Sequence, residues 1–171
     1  MARTIGLEMG LARLSTFAPA GYALGLHIRF ASAQIMVNTY DPRWVEIYTN
    51  RGYMLCDPLI SWGFGTEGIA RWSVLNHPDP HDVLGQAKAF GLTYGVAVAH
   101  GPTSSRTIGG FARSDREFMD AEIAEIVEMV GRKFLTYLWV PSTKSDPSPA
   151  MRTGNSFSTC LGASIGLGAI A

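Results

Sequence analysis

The chain has 171 residues, a length that predicts one domain with a modest extension. Hydrophobic residues make up 47% of it and charged residues 16%, which supplies enough apolar material for a core and argues against wholesale disorder. The Lys plus Arg count equals the Asp plus Glu count, at 14 each, so no overall basic excess favours binding to nucleic acid.

The sequence shows no recognisable targeting signal, and together with its cysteine spacing this predicts a cytoplasmic protein. No stretch is long and apolar enough for an ordinary membrane span, and Glu8 and Arg13 interrupt what would be the apolar part of a signal peptide. Cys56 and Cys160 lie far apart and form no metal-binding spacing. We interpret them as free thiols in a reducing compartment.

The first 40 residues predict two helical segments and a strand. Residues 1–17 show no clean apolar period and predict a short helix or a frayed end. A proline opens residues 19–29, whose apolar content predicts a helix. Residues 31–40 alternate as a strand does, with Met36 and Tyr40 on one face. Met36 is therefore a candidate wall for a cavity next to Tyr40.

A cluster of aromatic and acidic side chains begins at Tyr40. Asp41 followed by Pro42 predicts a helix start, because Asp caps the free N–H groups and Pro loses nothing at the first helical position. On that helix Trp44 and Tyr48 lie at positions i and i+4, so they share one face.

The groups in this cluster suit a small amide ligand. Asp57 could accept a hydrogen bond from an amide N–H, while Tyr40 and Trp44 could donate to carbonyl oxygens and their rings supply apolar walls. The alternative is that the aromatic residues are ordinary core and that Asp57, which precedes Pro58, is only a helix cap.

The next segment predicts a helical turn and then a strand. Leu59, Ile60 and Trp62 belong to the turn and are expected to line the same cavity. Residues 63–68 match the spacing G-x-G-x-x-G. A dinucleotide-binding turn needs a strand before the glycines and a helix starting within them, whereas here a strand at residues 69–73 follows. We interpret the glycines as a flexible loop.

His77 and His81 have a spacing that suggests a metal site or a carboxylate–histidine pair. The surrounding prolines instead favour a loop, capped by Asp79 or His81. The segment 82–90 then predicts a helix, and Gly91 is a suitable residue to end it. We expect no metal, no cofactor and no catalytic residue.

Two strands are predicted at residues 93–100 and 106–113, joined by a hairpin loop. Gly109 and Gly110 break the second strand, form a bulge, or allow a close backbone approach. The run from Ser114 to Glu117 fits a capping box.

The capping box predicts a long final helix with an apolar stripe. The stripe consists of Met119, Ile123, Ile126, Val127, Val130 and Phe134. We place the end of this helix near Trp139, because Pro141 would break it. Residues 141–171 are predicted to be a linker rich in Ser and Pro followed by a small apolar tail, without a basic recognition helix.

Spaced aromatic and acidic residues give the chain a family resemblance. They are Tyr40, Trp44, Tyr48, Asp57 with Pro58, and Trp72 in the segment IARWS. This set resembles the autoinducer-binding domain of LuxR-type quorum-sensing regulators. The similarity covers roughly residues 21–138 and includes the segments GYALGLHI and AFGLTYGVAV.

The resemblance implies a ligand and a role for each matching residue. The ligand is an N-acyl or aroyl homoserine lactone, with Tyr40 bonded to the acyl carbonyl, Trp44 to the lactone carbonyl and Asp57 to the amide N–H. Tyr48 and Trp72 are expected to pack around the head group. Further candidate contacts are apolar: Met36, Leu59, Ile60, Leu84, Leu92 and Phe111.

The chain departs from the family at one position. The family often brings a hydroxyl to the strand at residues 106–113 to read a 3-oxo or 3-hydroxy group, but Phe111 or a glycine stands there. Recognition of a 3-oxygenated acyl chain is therefore not expected.

The element order favours α+β over a repeated βαβ barrel. We predict an α/β/α sandwich with a mainly antiparallel central sheet and helices on both faces, a sensor domain at residues 1–140 and an extension at 141–171. The helix-turn-helix domain with which such regulators normally continue is not expected in that extension.

Three functional hypotheses stay open at this point. In the leading one, the chain is a ligand sensor that forms a homodimer or pairs with a full-length LuxR-type regulator, with Val130, Phe134 and Leu138 as candidate contacts and no DNA binding of its own. The second is an enzyme acting on a small acyl substrate with Asp57 or His77 as the acid–base group, although no complete nucleophile–base set is evident. The third is a ligand-free interaction module.

Overall fold

A single antiparallel sheet with helices on both faces forms the fold. The computed structural model describes residues 2–29 and 32–133. The helices are α1 (Ala2–Phe17), α2 (Pro42–Asn50), α3 (Pro58–Gly65), α4 (Val83–Ala87) and α5 (Asp120–Glu128). The strands are β1 (Gly21–Ile28), β2 (Ile35–Asn38), β3 (Gly68–Arg71), β4 (Tyr94–His100) and β5 (Arg106–Arg113). Their order across the sheet is β2-β1-β5-β4-β3, and every neighbouring pair is antiparallel.

The helices divide between the two faces of the sheet. Leu14 of α1 and Ile126 of α5 are fully buried in one core, on the face that carries Tyr22 and Phe111. Helices α2, α3 and α4 cover the other face, where Trp44 and Val83 pack over Ala112. The predicted α+β sandwich with a mainly antiparallel sheet is therefore confirmed.

The two faces of the sheet differ in side-chain size. The face toward α1 and α5 carries bulky buried residues, namely Tyr22, Leu24, Leu26, Val96, Val98 and Phe111. On the other face, small residues stand side by side across three strands, because Ala23 pairs with Gly110 and Gly110 pairs with Ala97. In the next row Gly95 pairs with Ala112. Successive side chains of a strand point to opposite faces, so all of these small residues lie on the face toward α2–α4. The two rows therefore leave space between the sheet and these helices.

The predicted helix at residues 19–29 is wrong, because most of this segment is strand β1. Its fully buried residues Tyr22, Leu24 and Leu26 recur every second position, which is the period of a strand. Gly21 has a φ of 104°, and a Cβ there would lie 2.8 Å from the Thr39 carbonyl oxygen. Glycine thus allows β1 to begin directly against the chain that leads out of β2.

The predicted capping box at residues 114–117 is also wrong, since α5 begins at Asp120. The N–H of Met119, which directly precedes α5, donates to the Glu122 carboxylate at 2.8 Å. The acidic residue of the cap is therefore Glu122 and not Glu117. Asp115 is instead paired with Arg113, at 2.9 Å between Oδ2 and Nη2. The end of this helix, predicted near Trp139, lies outside the described residues.

Much of the predicted apolar stripe faces inward within the described residues, where Ile123, Ile126 and Val130 are buried, but Met119 is 56% exposed. Val130, in the π-helical turn that follows α5, is 1% exposed and belongs to the core between α5 and the sheet. Val130 is therefore not available as a contact surface, contrary to the prediction. Phe134 and Leu138, like the extension at 141–171 and Cys160, lie outside the described residues.

The loop predicted at residues 63–68 is partly wrong, because α3 continues to Gly65 and a Cβ at Gly63 would lie 2.8 Å from Ile108, so glycine lets the helix approach β5. The elements around the other predicted loops agree with expectation. Asp79 caps α4 by accepting from the N–H groups of Val83 at 2.7 Å and Leu84 at 3.0 Å. Gly91, with a φ of 82°, ends the helical segment. The predicted hairpin strands match β4 and β5 closely, and the second strand runs unbroken through its two glycines.

The described residues contain neither a membrane-spanning helix nor a metal-binding cluster. No helix there is long and apolar enough to cross a membrane. No three or more His, Cys, Asp or Glu side chains of this part of the chain come together in a way that could hold a metal ion.

Candidate ligand-binding site

A mostly apolar cavity lies between the small-residue face of the sheet and helices α2–α4. About 1040 Å³ of space not filled by atoms lies in the cavity and in the open solvent at its mouth. Phe111 and Trp62 do not line the cavity, contrary to prediction, and Trp62 lines a separate groove instead. The other predicted site residues all line it, namely Met36, Tyr40, Trp44, Tyr48, Asp57, Leu59, Ile60, Trp72, Leu84 and Leu92. A concave, greasy space with a few polar groups is the usual form of a small-molecule site.

Asp57 is the acidic group of the cavity and is 7% exposed. Its Oδ1 accepts from the Leu59 N–H at 2.7 Å, which caps α3, and its Oδ2 accepts from the Tyr48 hydroxyl at 2.7 Å. Burial raises the pKa of Asp57 above its usual value, and these two hydrogen bonds act in the opposite direction. The carboxylate is therefore both a structural cap and a buried acceptor facing the cavity.

Two tyrosine hydroxyls complete this polar end. Tyr40 donates to the Gly110 carbonyl oxygen at 2.7 Å, while Tyr48 donates to Asp57. Burial, and secondarily the charge of Asp57, raises the pKa of both hydroxyls. Both groups consequently stay protonated at neutral pH and can donate hydrogen bonds to a ligand.

The aromatic residues of α2 form a packed wall. Trp44 is 3% exposed, and its ring centroid lies 6.0 Å from that of Tyr48 and 5.5 Å from that of Phe90. Tyr53 packs behind Trp44 and bonds to Gln86, and it does not line the cavity. Aromatic pairs at these distances are stabilising, so the wall is pre-formed.

The mouth of the cavity is apolar and partly exposed. Met36 is 61% exposed, Met54 44% and Phe64 37%, and all three line the cavity. Leu59 and Ile60 of α3 continue the apolar lining inward. The cavity thus joins a polar end to an apolar end, as expected for a ligand with a polar head and an apolar tail.

Phe111 is a correction to the predicted site. It is fully buried on the opposite face of the sheet, where its ring lies 5.8 Å from that of Tyr22. Because side chains alternate along β5, its neighbour Gly110 faces the cavity instead.

Sequence reasoning missed much of the cavity floor. Ala23 and Gly25 of β1 and Ile108 and Gly110 of β5 all line the cavity. The alternation in β1 is the signal that would have found the first two, but it was obscured by the helix prediction for that segment.

The groups proposed for acid–base catalysis are not assembled as a catalytic set. The His77 Nε2 lies 2.9 Å from the Ser61 hydroxyl, but neither residue lines the cavity. Within the described residues His77 bonds to no carboxylate, and the Asp57 carboxylate is engaged by Tyr48 and Leu59.

The fold and the cavity define a ligand-binding domain of the α/β/α type. The sequence model of the autoinducer binding domain matches residues 16–136, so the chain belongs to the autoinducer-binding domain family. This family consists of ligand-sensing regulatory domains rather than enzymes. No curated sequence matches the chain at a significant level.

Solved structures share the fold. The chain is similar to CepR2 of Burkholderia cenocepacia, described as an N-acylhomoserine lactone dependent LuxR family transcription factor, with a TM-score of 0.61 and 16% identity over 77% of this chain and 85% of that one. It is also similar to Escherichia coli SdiA residues 1–171, with a TM-score of 0.58 and 19% identity over 81% and 84%. SdiA in complex with octanoyl-rac-glycerol gives a TM-score of 0.60 and 19% identity over 84% and 70%.

Proposed function

We propose that the chain senses an N-acyl homoserine lactone or a related acyl amide in quorum-sensing transcription control. The observation that carries this proposal is the cavity with Asp57 and Tyr40 at its polar end and apolar side chains toward its mouth. An amide N–H would meet the Asp57 carboxylate, and the Tyr40 and Trp44 donors would meet the carbonyl oxygens. The acyl chain would lie along the small-residue floor.

The packing of the site supports this ligand class. An acyl chain is apolar and narrow, and the row of Ala23, Gly110 and Ala97 places no side chain larger than a methyl group on this part of the sheet. Burying the chain there removes apolar surface from water, which is favourable by about 25 cal/mol per Å². The polar end fixes orientation because a carboxylate accepts hydrogen bonds but cannot donate them.

A panel of ligands in a thermal-shift assay tests the proposal. A ligand at a hundred times its dissociation constant should raise the stability of the folded state by about 2.7 kcal/mol. The panel contains acyl and aroyl homoserine lactones of several chain lengths, together with octanoyl-rac-glycerol, the ligand of the SdiA complex. If no member raises the melting temperature, the sensor proposal is wrong. Mass spectrometry of material that co-purifies from a lactone-producing host would identify a bound ligand directly.

A ligand that returns unchanged separates a sensor from an enzyme. Incubating the protein with the lactone and measuring its concentration over time should show no consumption. Loss of lactone beyond that in buffer would favour the acyl-substrate enzyme, and its dependence on Asp57 or His77 would identify the group involved.

For transcription control, we propose that the chain acts by pairing with a full-length LuxR-type regulator. Its acidic and basic residues are equal in number, whereas binding to DNA phosphates needs clustered Lys or Arg. Dimeric helix-turn-helix proteins use both reading heads, so a mixed dimer in which only the regulator contacts DNA would bind its operator weakly.

A further inference from the structure

Trp72 holds an unusual position in the floor of the cavity. It follows β3, and its six-membered ring lies so close over Gly95 of β4 that a Cβ at Gly95 would overlap it. A Cβ at Gly110 of β5 would lie 3.6 Å from Trp72 Cζ2 and 3.0 Å from the Tyr40 hydroxyl oxygen. The indole edge that carries Cζ2 and Nε1 therefore turns toward the part of the cavity that contains the Tyr40 hydroxyl.

The indole N–H of Trp72 has no acceptor. Nε1 is shielded from solvent and forms no hydrogen bond with any described residue. Buried donors are nearly always paired in native proteins, so an orphaned one calls for an explanation. The two tyrosine hydroxyls at this end of the cavity differ, because Tyr40 already bonds to the Gly110 carbonyl and Tyr48 to Asp57.

We propose that Trp72 Nε1 donates a hydrogen bond to a carbonyl or ring oxygen of the bound ligand, which makes Trp72 a specificity-determining residue. This inference rests on the proposed function. An acyl homoserine lactone has one amide N–H but several oxygen acceptors, so it needs more donors than acceptors from the protein. Trp72 can supply one without giving up an existing bond, whereas Tyr40 and Tyr48 must exchange theirs.

Replacing only the N–H separates this role from simple ring packing. Trp72→3-benzothienylalanine keeps the two fused rings and puts sulfur in place of N–H. Calorimetry with N-octanoyl homoserine lactone should show an affinity about tenfold lower, equivalent to about 1.4 kcal/mol. The melting temperature of the free protein should not fall, since the change removes an unpaired donor. If Trp72 only packs, affinity will be unchanged.

Trp62 provides the matched control. Together with Ile69 and Val74 it lines a separate groove, and it does not line the cavity. The same replacement there should leave lactone affinity within about twofold. An equal loss of affinity at both positions would overturn the inference, because it would reflect a general effect of the substitution.

A measurement on the unaltered chain covers the case in which the replaced protein does not fold. In NMR spectra of protein with ¹⁵N-labelled tryptophan, the Trp72 indole proton should move downfield as N-octanoyl homoserine lactone binds. Binding without that shift would overturn the inference and leave the proposed function standing. If the wild type binds neither this lactone nor octanoyl-rac-glycerol, both the proposed function and the inference are wrong.

Discussion

Asp57 has two roles in the structure that a pair of substitutions can separate. Its Oδ1 caps α3 through the Leu59 N–H, and its Oδ2 accepts from Tyr48, each at 2.7 Å. Asp57→Ala removes both acceptors. Loss of the cap costs about 1 kcal/mol, and leaving the half-buried Tyr48 hydroxyl without its partner costs about 1–3 kcal/mol, partly offset because a buried carboxylate is also removed. We expect a net destabilisation of about 1–3 kcal/mol.

Asp57→Asn is the matched control. Asn is as good a cap as Asp, and its side chain has the same shape, so the Leu59 N–H keeps its acceptor. The Asn NH2 group can donate to the Tyr48 hydroxyl oxygen, which replaces the bond that Asp57 accepts with one in the opposite direction. Burial raises the pKa of Asp57, which means that the native state binds the proton more tightly than the unfolded state. Charging Asp57 as the pH rises through this raised pKa therefore lowers stability. The Asn variant carries no such charge and should melt at or above the wild-type temperature at pH 7.

Ligand binding should respond differently from stability. Both variants lose the carboxylate that we assign to the ligand amide, and hydrogen bonds to charged groups are worth about 1.5–3 kcal/mol. We expect both variants to bind an acyl homoserine lactone at least tenfold more weakly, and Tyr48→Phe, which keeps its ring, to lose less. Calorimetry and thermal melts on the same samples test this. Wild-type affinity in a folded Asp57→Asn variant would refute the assignment of Asp57 as the amide acceptor.

Three further predictions follow from other parts of the chain. Gly110→Ala should weaken lactone binding about tenfold in a titration, because its Cβ would lie 3.0 Å from the Tyr40 hydroxyl, whereas Gly65→Ala, which meets nothing within 4 Å, should not. Glu122→Gln should lower stability at pH 7 by about 1 kcal/mol, since Arg113 and the partly exposed Arg116 lose their carboxylate partner. These arginines, Arg116 above all, hold the pKa of Glu122 at about 2. The stabilisation that Glu122 gives the folded state is therefore complete above the usual pKa of a glutamate and is lost as the pH falls toward 2. Urea melts of both proteins should therefore converge near pH 2, and a constant difference would contradict the reasoning. Co-expression with a full-length LuxR-type regulator should give a mixed dimer in a pull-down and lower reporter output, and the pairing hypothesis fails if neither is seen.

Local patterns predicted elements well where one period dominates. Strands β4 and β5 were found because β-branched and alternating residues flank an obvious hairpin loop. Strand β1 was missed because Pro19 resembles a helix start, although Tyr22, Leu24 and Leu26 follow the period of a strand. Apolar content alone does not distinguish a helix from a strand, whereas the spacing of the apolar residues does.

The start of α5 depends on contacts that are distant in sequence. The segment from Ser114 to Glu117 has the residue types of a capping box, but Arg113 at the end of β5 takes Asp115 as its partner. Arg113 and Arg116 also hold Glu122, which then accepts from the Met119 N–H. A pattern confined to four residues cannot show which of two acidic side chains these arginines will engage.

The polar residues of the candidate site were easier to predict than its floor. Tyr40, Trp44 and Asp57 have distinctive hydrogen-bonding groups, so their types alone suggest chemistry, although their contact with a ligand stays a prediction. Ala23 and Gly110 have no such groups and act only by leaving space. Their significance depends on the register that places them side by side on neighbouring strands. Register is a property of the folded sheet and cannot be read from either segment alone.

The size difference between the two faces of the sheet separates stability from ligand binding. Phe111 and Gly110 are adjacent in β5, yet Phe111 is fully buried in the core under α5 while Gly110 faces the cavity. Truncating Phe111 would leave a void in a packed core, which costs about 3–5 kcal/mol, whereas enlarging Gly110 takes space from the ligand. A one-residue slip in the register of β5 would exchange these two positions, filling the cavity and emptying the core at once. The same register therefore stabilises the fold and keeps the cavity open.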